Sequence, residues 1–82
     1  MTTKILRFSA TWCQPCKILA KNLEAAQIEV PVEYIDIDAN ATLPDEYNVR
    51  GVPTLVLLKD GKEVSRLVGV KTVDELKAWA AQ

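Results

Sequence analysis

Trp12-Cys13-Gln14-Pro15-Cys16 decides how this chain is read, because it holds the only two cysteines among 82 residues and lies between two differently patterned segments. Before it, Lys4-Ile5-Leu6-Arg7-Phe8-Ser9 alternates as a β-strand, with Leu6 and Phe8 on one face and Ile5, Arg7 and Ser9 on the other. After it, from Gln14 to Gln27, Ile18, Leu19, Leu23 and Ala26 recur at helical spacing and are expected to face inward, while Lys17, Lys21 and Glu24 face out. The cysteines therefore stand where a strand turns into a helix.

Such a pair can be a structural staple, part of a metal site or a working redox couple. The chain is one small domain with 49% hydrophobic residues, enough to fold around a single core. Ten basic against eleven acidic residues leave a net charge of −1, so nothing in the balance points to nucleic acid or an anionic membrane. Neither a signal peptide nor a membrane-spanning stretch is found, and the expectation is a cytoplasmic protein. In a reducing compartment a structural disulfide is out of place. One closing so short a loop would also restrict the unfolded chain little. Zinc wants about four ligands, whereas the chain has two thiols and no histidine, so a metal site or an iron–sulfur cluster would have to be shared between copies. Redox work is the reading that asks for nothing further.

The rest of the chain continues the alternation of strand and helix. Val32 to Asp38 is a second strand, rich in β-branched and aromatic residues, and strand, helix, strand over this length predicts a right-handed crossover with parallel strands. Asp36-Ile37-Asp38-Ala39-Asn40 imitates the start of a calcium loop, but Ala41 stands where glycine is required and Tyr47 where glutamate is required. A strand running into a polar turn fits better. Thr42 is predicted to cap a short helix reaching Tyr47, with Pro44, Asp45 and Glu46 in its first turn. Thr54 to Leu58 is a nearly continuous apolar strand, which implies burial on both faces. Asp60-Gly61 is a hairpin turn and Glu63 to Val68 the returning strand. Thr72-Val73-Asp74-Glu75 is a capping box that opens a last helix burying Val73, Leu76 and Ala80, with Trp79 as core.

At a strand-to-helix junction Cys13 occupies the helix N-terminus, where unpaired N–H groups and the helix dipole favour a thiolate. It is the expected attacking sulfur. Cys16, one turn inside, can attack a disulfide that Cys13 has formed with a substrate. Pro15 stiffens the turn at a position whose N–H the helix does not use.

These residues resemble the thioredoxins. The likeness is carried by Trp12-Cys13-Gln14-Pro15-Cys16-Lys17, by Arg50-Gly51-Val52-Pro53-Thr54, and by Lys59-Asp60-Gly61 with Gly69 after the last strand; it spans almost the whole chain. It implies that residues 1–82 form one thioredoxin-like α/β domain, a four-stranded mixed sheet flanked by helices in the order β-α-β-α-β-β-α. It also implies a cis bond before Pro53, facing the cysteines, with the backbone of Val52 pairing to a substrate strand. Trp12, Gln14, Pro15, Val52, Pro53, Gly69 and Val70 would form the docking surface around Cys13. The activity implied is protein-disulfide reduction by dithiol–disulfide exchange, by a monomer without metal or organic cofactor. Its electrons would come from a flavoprotein thioredoxin reductase, and its substrates would be disulfide-containing proteins.

The chain departs from the family pattern in three places. Only twelve residues precede Cys13, where full-length thioredoxins carry an extra strand and helix, so it is similar to minimal thioredoxins and, in size, to glutaredoxins. Gln14 replaces a glycine at a position that, with Pro15, tunes redox potential. Arg7 stands where the family has a buried acid, and Tyr34 where that acid has its lysine partner. The expectation for Arg7 is a guanidinium paired with Asp36 or Tyr34 that exerts a partly screened pull on the cysteines. The rival functions are a glutathione-fed glutaredoxin and a non-catalytic binding subunit. Against the first, Gly69-Val70-Lys71 stands where paired glycines and an aspartate would hold glutathione.

Overall fold

The elements follow in the order the sequence predicts: β1 (Thr3–Ser9), α1 (Gln14–Ala26), β2 (Val32–Asp36), α2 (Thr42–Glu46), β3 (Thr54–Lys59), β4 (Lys62–Val68) and α3 (Val73–Ala80). The computed structural model describes residues 2–82; Met1, the first residue of the predicted domain, lies outside them. The strands form one mixed sheet in the order β2-β1-β3-β4. β1 pairs in parallel with β2, Arg7 opposite Tyr34, and antiparallel with β3, while β3 and β4 form an antiparallel hairpin. The hairpin loop is Asp60-Gly61, both at positive φ (53° and 81°), the backbone whose twist matches that of the paired strands.

Alternation along the central strands divides the interior in two. Ile5, Leu55 and Leu57 face α1 and α3, where they pack with Leu19, Ala26, Leu76 and Trp79. Leu6, Phe8, Val56 and Leu58 face the other way and are covered by Ile35, Leu43 and Tyr47. β3 is buried on both faces, as its unbroken apolar run requires.

Several boundaries and contacts differ from the sequence reading. Ile18 is 53% exposed. The buried stripe of α1 is Cys16, Leu19 and Ala26, and at about 100° per residue Ile18 turns to the opposite side of the helix from Cys16. β2 stops at Asp36, whose side chain accepts the Asp38 N–H (2.9 Å) and closes a turn in place of two more strand residues. Thr42 does not cap α2; the Asn40 side-chain oxygen, Oδ1, accepts from the Thr42 and Leu43 N–H groups, both at 3.2 Å. The helix ends at Glu46, with Tyr47 as its C-cap, and β4 begins one residue early, at Lys62. The capping box of α3 is formed in both directions. The Thr72 backbone N–H, and then its hydroxyl, hold the Glu75 carboxyl below its ordinary value. Trp79 is core, its indole N–H donating to Ser65 Oγ (2.8 Å), whereas Val73 and Ala80 are only partly covered because they flank the buried line of Leu76 and Trp79. Among the described residues, no helix is long and apolar enough to cross a membrane.

Candidate functional site

Because β1 and β2 run parallel, their C-terminal ends lie side by side, and the chain leaving each meets the N-terminus of α1 there. Cys13 is the N-cap of α1 in extended conformation (φ −89°, ψ 108°), with its N–H donating to the Ala10 carbonyl (3.2 Å). Its side chain occupies the place where a serine or aspartate oxygen would accept from the first turn. The Cys16 N–H donates to Cys13 Sγ at 3.2 Å. The two cysteines are joined as a disulfide with their Cα atoms 5.3 Å apart, and Pro15 lies in the first turn between them. Both cysteines are nearly covered, Cys13 at 4% and Cys16 at 2% exposure, packed against Ala10, Ile37 and Val52. A disulfide at a helix start with an N–H aimed at its first sulfur is built for thiol exchange: when the bond opens, that N–H stabilises the charge left on Cys13.

The residues expected around Cys13 are gathered at this end of the sheet, but not all on its surface. Trp12 (65% exposed) precedes Cys13 in the chain, Gln14 and Pro15 are also exposed, and Val70 (41% exposed) follows Gly69. Val52 is half-buried, and neither its N–H nor its C=O is hydrogen-bonded to another described residue. The Val52–Pro53 peptide is cis. Pro53 itself is buried, and its carbonyl accepts the Gly69 N–H (2.9 Å), so it lies beneath the surface the sequence reading assigned to it. Gly69 has φ +90°, and a Cβ there would meet nothing within 4 Å; glycine is suited to the backbone angle, not to a shortage of space.

Arg7 pairs with one of its two expected partners. Its guanidinium lies 4.6 Å from the centroid of the Tyr34 ring, and no ion pair to Asp36 forms among the described residues. Register explains the choice, since Arg7 and Tyr34 are directly opposite and share a face of the sheet, while Asp36 is opposite Ser9 and turns back to cap the chain after it.

Sequence reasoning missed Asp38 and Ile37. The Trp12 indole N–H donates to Asp38 Oδ2 (2.7 Å), and Ile37 packs against the cysteines, its N–H donating to the Ser9 carbonyl (3.0 Å). The predicted parallel crossover was the available signal, because it brings the residues after β2 beside those after β1. Replacing Asp38 with alanine is expected to free the indole and raise the KM for a protein disulfide by about two- to tenfold, the worth of one lost hydrogen bond, with less change in kcat. An unchanged KM in steady-state kinetics would show that the bond does not order the ring for docking.

The family model described as Thioredoxin matches residues 2–82. The thioredoxin of Chlamydia trachomatis is 45% identical over 75 residues, covering 88% of this chain and 74% of that protein. The mitochondrial thioredoxin of Mus musculus is 39% identical over 82 residues, covering 95% of this chain and 49% of that one. Among solved structures, a single-site mutant of the thioredoxin from Halobacterium salinarum superposes with a TM-score of 0.87 at 41% identity, covering 95% of this chain and 71% of its own. A four-stranded mixed sheet with a cysteine pair at the start of its first helix, and relatives this similar over most of the chain, lead to one conclusion: the chain belongs to the thioredoxin family of thiol–disulfide oxidoreductases.

Proposed function

We propose that the protein is a protein-disulfide reductase in which Cys13 attacks and Cys16 resolves, supplied with electrons by a flavoprotein thioredoxin reductase. The observation that carries the assignment is the Cys16 N–H directed at Cys13 Sγ from within the first turn of α1. It favours the thiolate at Cys13, while Cys16 lies within the first turn of α1, placed to close the disulfide with it. In turnover, the Cys13 thiolate forms a mixed disulfide with one substrate sulfur and releases the other. Cys16 then closes the Cys13–Cys16 disulfide and frees the first.

The docking surface is Trp12, Gln14, Pro15, Val52, Gly69 and Val70, with Pro53 positioning Val52 from below. The unpaired Val52 N–H and C=O support a role in pairing with an extended substrate segment. The redox group is the disulfide, so neither a metal nor an organic cofactor is invoked. The protein works as a monomer in the cytoplasm. Gly69-Val70-Lys71 offers Val70 as an exposed apolar contact, which favours protein substrates over the charged termini of glutathione.

The test is to present the oxidised protein to NADPH with thioredoxin reductase, and separately to reduced glutathione. Reduction of the Cys13–Cys16 disulfide is expected to be complete with the reductase before glutathione has reduced a measurable share. A faster reaction with glutathione would overturn the reading in favour of a glutaredoxin-like carrier.

A further inference from the structure

A groove of about 280 Å³ runs beside α1 and opens to solvent, lined by Arg7, Ser9, Cys16, Lys17 and Tyr34 with small residues between them. It exists because the small side chains of Ala10, Thr11 and Ala20 leave room at the point where Arg7 emerges from β1. Cys16 lines this groove and Cys13 does not. The charged groups facing it are Arg7 from β1 and Lys17 from α1, both cations, while β2 contributes the Tyr34 ring. The acids of β2 and its following turn have partners outside the groove: Glu33 pairs with Lys4, Asp36 accepts the Asp38 N–H, and Asp38 accepts the Trp12 indole N–H. Among the described residues, no carboxylate lines the groove to take a proton from Cys16.

We infer that Arg7 is a positioning residue for the resolving step, holding its charge over Tyr34 where it stabilises the thiolate of Cys16 as that thiol loses its proton into the groove. A thiolate at a nearly covered sulfur is penalised by lost solvation, and a nearby cation offsets the penalty. A guanidinium keeps its charge across the pH range in which thiols ionise, so the effect is constant and cannot be a proton relay. Stacking on Tyr34 limits where that charge can go. In the resolving step Cys16 gives its proton to solvent, its sulfur bonds to Cys13 Sγ, and the bond between Cys13 and the substrate sulfur breaks. The substrate leaves as a thiolate that is protonated by solvent, and two electrons have passed from the protein dithiol to the substrate.

The inference rests on Cys16 being the resolving thiol, but its test does not depend on any reductase. In a Cys13→Ser background Cys16 is the sole thiol, and its ionisation can be followed by thiolate ultraviolet absorbance across pH. Adding Arg7→Met is expected to move the midpoint of the Cys16 titration up by about half to one pH unit. Arg7→Lys, which keeps the charge, should hold it near the starting value. In alkaline buffer, where both thiols are ionised, the same shift should appear in the otherwise unaltered protein as a three- to tenfold gain of disulfide over dithiol in Arg7→Met, about 14–30 mV toward more reducing. An unmoved Cys16 midpoint in Arg7→Met overturns the inference. So do equal shifts in Arg7→Met and Arg7→Lys, which would make Arg7 a packing residue, or an equal shift at Cys13 in a Cys16→Ser background.

Discussion

Replacing Cys13 with serine is expected to reduce protein-disulfide reduction to the uncatalysed background, a loss of roughly 10⁴-fold or more, the scale on which enzymes lose a covalent nucleophile. The hydroxyl would occupy the same N-cap and accept the same Cys16 N–H, so the fold and the helix start survive; what disappears is the sulfur nucleophile. Replacing Cys16 with serine has a different outcome. Attack by Cys13 remains, but nothing within the protein can expel the substrate, and a mixed disulfide should accumulate to near one equivalent, visible by mass spectrometry as the sum of both masses. If the adduct formed on Cys16 in the Cys13→Ser protein and not on Cys13 in the Cys16→Ser protein, the two roles would be exchanged. The asymmetry expected here comes from one turn of helix. Cys13 precedes the first turn, where N–H groups have no intrahelical acceptor, and Cys16 lies within it.

Phe8→Ala is expected to be the most damaging single change to the fold. Phe8 is fully buried on the α2 side of the sheet, among Leu6, Ile35, Val56 and Leu58, with its ring 6.1 Å from that of Tyr47. Truncating a buried phenylalanine costs about 3–5 kcal/mol, the lost transfer energy plus a cavity the neighbours cannot close. A domain this small has only about 4–12 kcal/mol to lose, so the midpoint of thermal unfolding should fall by roughly 15–30 °C. The same cluster continues through Ile37 and Val52 to the cysteines, so loosening it should also lower activity at temperatures where the variant still folds. A fall of only a few degrees in calorimetry would mean that Tyr47 and Leu43 can collapse into the space, and that this layer is softer than its burial implies.

Much of the site was legible in the chain because its signals are local. The helical spacing of apolar residues after Cys13, with Pro15 at a first-turn position, marks a helix start, and the alternation of Leu6 and Phe8 against Ile5 and Arg7 assigns faces before any partner strand is known. Asp60-Gly61 between two apolar runs similarly sets a two-residue turn through its own backbone preferences. Where the reading failed locally, the competing signal was local too. Thr42 is already the first residue of α2, so it cannot cap it, and Asn40 from before the helix accepts two of the first N–H groups; Ile18 was counted inward although its angle on the helix turns it away.

What required the tertiary structure is everything decided by contact between segments distant in sequence. Trp12 could be named from its motif, but its hold on Asp38, twenty-six residues on, exists only because parallel pairing brings the ends of β1 and β2 together. Pro53 could be named as well; that it is buried, with its carbonyl taken by Gly69, follows from the meeting of the β3 entry and the β4 exit. Arg7 shows the division most clearly. An arginine on the same face of β1 as Ile5 was visible in the alternation, and two partners for it were in reach. Pairwise register placed it opposite Tyr34, and the small side chains of Ala10 and Ala20 opened a groove that it shares with Cys16. Spacing along a chain fixes which way a side chain points, but the field it exerts depends on the dielectric and the charges brought up against it, and those are set by packing.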